Sequence, residues 1–292
     1  MRAEEIFDRY GLEYETVSMA AHTTFGIGGE ALMAELSADK AGVIAALEDE
    51  GIFFDVIGRG SNLLVADERI EKVFLHIGRL MADIEVNDCT IRCGAGAPLS
   101  AVCTRARDLS LTGLEFAYGI PASVGGAVYM NAGAYGGEIR DVLVSADIVS
   151  HDKIIRMSAD ELGLSYRHSR LMDEPLYCIG AEFRLGHGDK EQINAKMEEL
   201  MARRREKQPL EYKSAGSAFK RPQGAYAAAL IEQCGLKGYT VGGAQVSTKH
   251  SGFIVNTGGA TFKDVMAVME HVQRTVRDMT GYDLEIEPEI VR

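Results

Sequence analysis

Four clusters in this chain of 292 residues combine residue types and spacings that suit chemistry. Gly58-Arg59-Gly60-Ser61-Asn62 directly follows an apolar run. Successive small residues after a strand can turn their amides into a concavity for phosphate, with Arg59 adding positive charge. Glycine-serine turns after strands are common, so this segment alone is a weak sign. The second cluster, Leu114 to Ile139, is dense in glycine and alanine. Glycine inside an element costs about 0.5–1 kcal/mol relative to alanine, so such a run implies backbone that something approaches closely. Pro121 and Ser123 precede Gly125, Gly126 and Ala127, and exposed amides there would face an anion such as a pyrophosphate. Ile120, Val124, Val128 and Met130 interleave the glycines and argue for burial rather than a surface loop.

The third cluster is Ser214-Ala215-Gly216-Ser217-Ala218-Phe219-Lys220-Arg221-Pro222. Two serines and two cations beside a glycine can bind phosphate or set a hydroxyl against a reacting carbon. A lone serine is more often a cap or a surface residue, so Ser217 takes its role from context. The fourth is Glu285-Ile286-Glu287-Pro288-Glu289. Alternating carboxylates on a strand share one face, which is costly unless they are solvated or engaged. A polar edge strand and a catalytic strand fit that pattern equally well.

Other chemistries are excluded. There is no GxGxxG after a strand, no GxxxxGK[ST] and no HExxH, so a dinucleotide would not be held in the Rossmann or P-loop manner. The seven histidines lie apart without metal-ligand spacing, which argues against a metal. A net charge of −12 argues against nucleic acid as a partner. An acidic chain binds small anions only by concentrating its cations, which directs attention to Arg59, Arg167, Lys220, Lys237 and Lys249. Arg203, Arg204 and Arg205 read instead as a solvated face. Cys89, Cys93, Cys103, Cys178 and Cys234 are odd in number and scattered, as expected of reduced thiols in a cytosol. No run approaches the roughly 18 apolar residues of a membrane span, and the amphipathic start lacks a signal-peptide core.

These residues must be carried by alternating elements. Helices are expected over Asp39–Glu50, Pro98–Leu109, Lys190–Lys207, Ala225–Cys234 and Phe262–Met279. Strands are expected over Ile52–Ile57, Val73–Ile77, Thr90–Cys93, Val142–Val149, Tyr177–Leu185, Gly252–Asn256 and Leu284–Val291. Composition shifts at Gly186–Lys190, which sets expected domains at 1–188 and 189–292. The fold class is α+β.

Six motifs in order resemble the UDP-N-acetylenolpyruvoylglucosamine reductases, flavoenzymes of bacterial peptidoglycan precursor synthesis. They are His22-Thr23-Thr24-Phe25-Gly26-Ile27-Gly28-Gly29, Gly58 to Leu64, Ile120 to Ala127, Tyr166-Arg167-His168-Ser169, Ala215 to Lys220, and Glu287-Pro288-Glu289. The resemblance covers about residue 20 to 292. It implies a two-subdomain FAD-binding fold of the vanillyl-alcohol oxidase type, followed by a C-terminal α+β substrate domain. Gly58, Arg59, Gly60, Ser61 and Asn62, with Ile120, Pro121, Ala122, Ser123, Gly125, Gly126 and Ala127, would hold FAD. The short stretch between Gly180 and Gln208 resembles the family's shorter class, without an inserted loop whose tyrosine covers the substrate. Lys213 stands where similar sequences often have proline, as a phosphate contact or a solvated side chain.

The resemblance implies a cytoplasmic enzyme, read here as a monomer, that reduces UDP-N-acetylglucosamine enolpyruvate to UDP-N-acetylmuramate. Hydride passes from NADPH to FAD and then to the enolpyruvyl C3, leaving negative charge on C2 and its carboxylate. By similarity, Arg167 and Glu289 flank that carboxylate and Ser217 protonates C2. Glu289 would then share a hydrogen with the intermediate rather than repel it. Lys220, Lys237, His250 and Asn256 are the candidates for the UDP moiety. The alternatives are an FAD-dependent oxidase or dehydrogenase of another sugar or hydroxy acid, and a non-catalytic flavin or sugar-nucleotide binding protein. The serine-lysine and terminal glutamate motifs count against the first, and Arg167, Ser217 and Glu289 occurring together count against the second.

Overall fold

A computed structural model describes residues 1–292. The chain divides into two compact units, each built from separated segments. The first comprises Met1–Glu15, Leu32–Arg59 and Glu71–Arg203; the second comprises Thr16–Ala31, Gly60–Ile70 and Arg204–Arg292. The α+β expectation is met, with helices and two larger sheets in the first unit and a smaller sheet in the second.

The first unit carries a parallel arrangement in which Phe54–Ile57 and Glu30–Glu35 flank Val73–His76, in register Phe54↔Val73 and Met33↔Phe74. Tyr14–Ser18 completes that sheet at one edge. Val73, Phe74 and Leu75 form an unbroken apolar run and all are buried, as a central parallel strand requires. The helices Ala3–Tyr10 and Val43–Asp49 supply Ile6, Phe7, Val43, Ile44 and Leu47, each fully buried.

The second sheet of this unit is antiparallel, in the order Lys153–Ser158, Leu143–Ser150, Leu176–Arg184, Thr90–Gly94, Ile84–Asn87. Its centre is built from small side chains, Ala146↔Ala181 and Ala181↔Cys93. A short helix, Val124–Tyr129, packs here where a glycine-rich cradle loop was expected. The reason is local: Ser123 is its N-cap and accepts from Gly126 N, and Gly125 lets the helix sit down on Ala95. A Cβ at position 125 would lie 2.9 Å from the Ala95 Cβ.

The second unit pairs Thr240–Val241, Ala244–Val246 and Ile254–Asn256 as an antiparallel sheet under the helix Phe262–Thr280. That helix opens with a capping box between Thr261 and Asp264 and closes at Gly281, whose φ is +78°. Val265, Val268, Met269, Val272 and Val276 make its buried stripe. The terminal strand spans only Glu289–Val291, parallel to Leu63–Val65, rather than the whole of Leu284–Val291. A bend at Pro288 interrupts it, so Glu285, Glu287 and Glu289 do not form the single-faced ladder expected.

Candidate active site

In the first unit, Gly58 lies beside the second glycine-rich segment. A Cβ on Gly58 would lie 2.1 Å from Ser123 Oγ, so only glycine permits this approach. Beyond the contact is a cavity of about 280 Å³, lined by Arg59, Ser100, Tyr118, Gly119, Ile120, Pro121, Ala122 and Met201. Arg59 is exposed and has no carboxylate partner.

The two segments differ in what their amides offer. Val124 N donates to Ala97 O at 2.9 Å, Gly125 N to Ala95 O at 2.8 Å, and Ala127 N to Ser123 O at 2.9 Å. Gly126 N is taken by Ser123 Oγ at 3.4 Å. The exposed amides expected at Gly125, Gly126 and Ala127 are therefore spent on seating the short helix, and Ala127 is fully buried. Arg59, Gly60 and Ser61, in contrast, have N–H groups with no acceptor inside the protein. That segment is the one whose backbone remains available to an anion.

In the second unit, backbone bonds gather the remaining motifs. Gly60 packs against the first motif: Thr24 N donates to Gly60 O at 3.2 Å, and a Cβ on Gly60 would meet His22 O at 2.0 Å. Thr24 Oγ1 donates to Ser214 O at 2.7 Å, tying that motif to the serine segment. Ser217 bridges to Phe253 on one side, while Ala218 O accepts from Glu287 N at 3.1 Å on the other. Asn62 Nδ2 donates to Glu287 O at 3.2 Å, and Asn62 O accepts from Glu289 N at 2.8 Å. A continuous hydrogen-bonded chain thus runs from the serine segment through Glu287 and Asn62 to Glu289. Ser217 itself is half-buried and its hydroxyl has no partner within the protein.

Arg167 belongs to the first unit, at the tip of a two-residue turn closed by Ser165 and His168, which exchange both backbone bonds. Its φ is +54°, a conformation that side chains other than glycine adopt at a cost. Nη2 donates to Gly133 O at 3.2 Å, and the guanidinium lies 5.6 Å from the Tyr166 ring centroid.

Residues 32–157 match the family model for an FAD binding domain, and residues 208–291 match that for the C-terminal domain of UDP-N-acetylenolpyruvoylglucosamine reductase. The protein of that name from Agathobacter rectalis is 46% identical, over 94% of this chain and 92% of its own length. Its counterpart from Caldanaerobacter subterraneus subsp. tengcongensis is also 46% identical, over 96% and 94% respectively. The crystal structure of the UDP-N-acetylenolpyruvylglucosamine reductase from Thermus caldophilus superposes with a TM-score of 0.84 at 34% identity, covering 96% of this chain and all of that one. The chain belongs to the UDP-N-acetylenolpyruvoylglucosamine reductase family.

Within this family member, the candidate UDP ligands differ in how far they are already committed. Lys220 Nζ pairs with Glu285 at 2.6 Å and Lys237 Nζ with Glu232 at 2.7 Å, both at the surface. His250 Nδ1 accepts from Gly252 N at 3.2 Å, and burial first, then the nearby Lys237 charge, lowers its pKa from the ordinary value. Its neutral ring therefore carries hydrogen on Nε2, a donor rather than a charge. Asn256 Oδ1 accepts from Gly258 N and Ala260 N, and Nδ2 donates to Phe25 O at 3.2 Å, so its amide chiefly pins loops. Lys213 is exposed, with its stem laid over Gly26.

Two residues here were given no role by the sequence reading, although Ser169 stands in one of its motifs. Asn131 and Ser169 are buried polar groups beside the Arg167 turn, visible only once the chain is folded. Elsewhere, Asp88, Cys89 and His187 bring ligating atoms within 4.8 Å of one another, a proximity that sequence spacing concealed. The His187–Asp88 contact at 3.3 Å between exposed side chains accounts for it as an ordinary pair.

Proposed function

We propose that this protein reduces the enolpyruvyl ether of UDP-N-acetylglucosamine enolpyruvate to the lactyl ether of UDP-N-acetylmuramate, with FAD bound and NADPH as reductant. The observation that carries the reading is the half-buried, unpartnered hydroxyl of Ser217, held in the segment that matches the reductase C-terminal domain, in a chain that also carries an FAD binding domain. The residues present fit FAD: three successive N–H groups lack acceptors at Arg59, Gly60 and Ser61, and Arg59 lines the cavity. Gly58 to Asn62 would take the pyrophosphate, with Ile120 to Ala127 contributing surface rather than amides. Bound FAD supplies a two-electron carrier between NADPH and the enolpyruvyl carbon.

The chain's own residues manage charge and proton. Hydride arriving at C3 leaves negative charge on C2 and the adjoining carboxylate. Ser217 donates the proton to C2; a serine hydroxyl is a weak acid, yet a strongly basic carbanion accepts from it when well placed. Arg167 holds the substrate carboxylate with a planar two-pronged donor, and Glu289 shares a hydrogen with the same group. Lys220, Lys237, His250 and Asn256 bind the UDP portion. The substrate and NADPH place the enzyme in the cytoplasm, and we read it as a monomer. No helix is long and apolar enough to cross a membrane.

The test is anaerobic. NADPH should bleach the flavin's visible band, and adding UDP-N-acetylglucosamine enolpyruvate should restore it. A band that bleaches and never recovers refutes the substrate assignment. Ser217→Ala should lose about 10²–10⁴-fold in turnover while NADPH still bleaches the flavin normally. Equal loss in both half-reactions refutes the proton-donor role.

A further inference from the structure

Asn131 occupies a position where glycine is the usual residue. The helix Val124–Tyr129 ends in a left-handed turn, with Asn131 at φ +40°, Asn131 N returning to Val128 O, and Ala132 N to Ala127 O. This double closure is the one that glycine serves at least cost. Asparagine tolerates the conformation, and here its side chain has separate work. It is 1% exposed. Its Nδ2 donates to Ser165 O at 2.9 Å and to Glu138 Oε2 at 2.7 Å, and its Oδ1 accepts from Arg140 N at 3.0 Å.

Ser165 opens the turn that carries Arg167. On the other side of the same turn, the fully buried Ser169 donates through Oγ to Tyr129 O at 2.6 Å, at the last residue of the same helix. The turn is thus tied at both ends to one helix terminus. The acceptor for Arg167 Nη2, Gly133 O, stands two residues beyond Asn131 on the same stretch of chain. A left-handed arginine persists only where its surroundings over-determine it, and these are the surroundings that do so.

We infer that Asn131 is a positioning residue for Arg167, setting the place and direction of the guanidinium, with Ser169 fixing the second leg of the turn. The inference rests on the role proposed above for Arg167. A purely structural Asn131 would serve to end the helix, and glycine would do that equally well.

Asn131→Gly separates the two roles, because it keeps the left-handed closure and removes only the side-chain bonds. In the holoenzyme, flavin reduction by NADPH should stay near normal. Reoxidation of the reduced enzyme by UDP-N-acetylglucosamine enolpyruvate should slow by about 10- to 100-fold, the scale of a displacement near 1 Å. In an Arg167→Ala background, Asn131→Gly should then slow reoxidation no further, since a residue acting through Arg167 has nothing left to position. Ser169→Ala should repeat the pattern at smaller size. If Asn131→Gly does not fold, Ser169→Ala serves alone, since it removes only the bond to Tyr129 O and should slow reoxidation without slowing flavin reduction. Losses that multiply in the double variant, or equal slowing of both half-reactions, overturn the inference. Normal reoxidation in Asn131→Gly with slow reoxidation in Arg167→Ala also overturns it and leaves the Arg167 assignment standing. Normal reoxidation in Arg167→Ala overturns that assignment, and the inference with it.

Discussion

Gly58→Ala probes the contact that joins the two glycine-rich segments. The added Cβ would lie 2.1 Å from Ser123 Oγ and 3.1 Å from Ser123 Cβ. Ser123 has little room to retreat: it is 3% exposed, it bridges to Pro98, and Val124 N behind it donates to Ala97 O at 2.9 Å. Turning the hydroxyl away forfeits its bond to Gly126 N, a helix cap worth about 1 kcal/mol. Overpacking adds about 1–3 kcal/mol. Against this, Gly58 has no positive φ, so alanine recovers about 0.4–1 kcal/mol by restricting the unfolded chain. The net expectation is a loss of about 1–3 kcal/mol.

The control is Ser123→Gly, which removes both clashing atoms while glycine retains most of the capping preference, at a cost of only a few tenths of a kcal/mol relative to serine. In that background Gly58→Ala should be neutral or slightly stabilising, giving a coupling of about 1–4 kcal/mol between positions 58 and 123. Urea denaturation of the holoprotein at one fixed FAD concentration measures it, since ligand binding to the native state shifts the apparent stability. Equal penalties in the two backgrounds would refute the reasoning and assign the need for glycine at position 58 to a bound group instead of Ser123.

Three further outcomes are expected. Arg167→Lys gives up charge-assisted hydrogen bonds worth about 1.5–3 kcal/mol, so reoxidation of the reduced enzyme by substrate should slow roughly 10- to 150-fold; stopped-flow reoxidation at the wild-type rate counts against the assignment. Native alkylation should label the partly exposed Cys89 and Cys234 and spare Cys93, Cys103 and Cys178, which peptide mass mapping would reveal. Burial pushes the Cys93 and Cys178 thiols up from 9.0 to about 12 in the fold, so the stability each lends is fully present below pH 9 and is lost as pH rises toward 12. Cys178→Ala should make the decline of the unfolding free energy, measured by urea denaturation across that window, shallower by about 1.4 kcal/mol per pH unit, and an unchanged slope would contradict the burial argument.

What could be read before folding depended on whether a feature announces itself through side chains. The helix Lys190–Lys207 was legible because Ile193, Met197 and Leu200 recur at helical spacing through an otherwise charged run. The strand Lys153–Ser158 was not, since Ile154 and Ile155 are both exposed on an edge and break the alternation that marks a half-buried strand. The short helix Val124–Tyr129 concealed itself behind glycines, although Ser123 ahead of Val124 was a recognisable cap.

The candidate site divides along the same line. Motif chemistry singled out Gly58 to Asn62, Ser217 and Glu289 as types suited to a reaction. What joins Asn62 to Glu287 is a side chain donating to a backbone carbonyl 225 residues away, and what joins Ala218 to Glu287 is backbone alone. Every residue offers that carbonyl and every residue but proline that N–H, so no pattern of types could have revealed Glu287 as the shared partner. Asn131 is the intermediate case. Asparagine is a residue type that tolerates a left-handed closure, but the helix end it closes was concealed, and its burial and its bond to Ser165 O belong to tertiary structure. The residues that do chemistry are therefore visible one at a time, while those that aim them become visible only through what they touch. Asn131→Gly is informative for that reason: it preserves everything the sequence pattern required at the position and deletes only what the fold added.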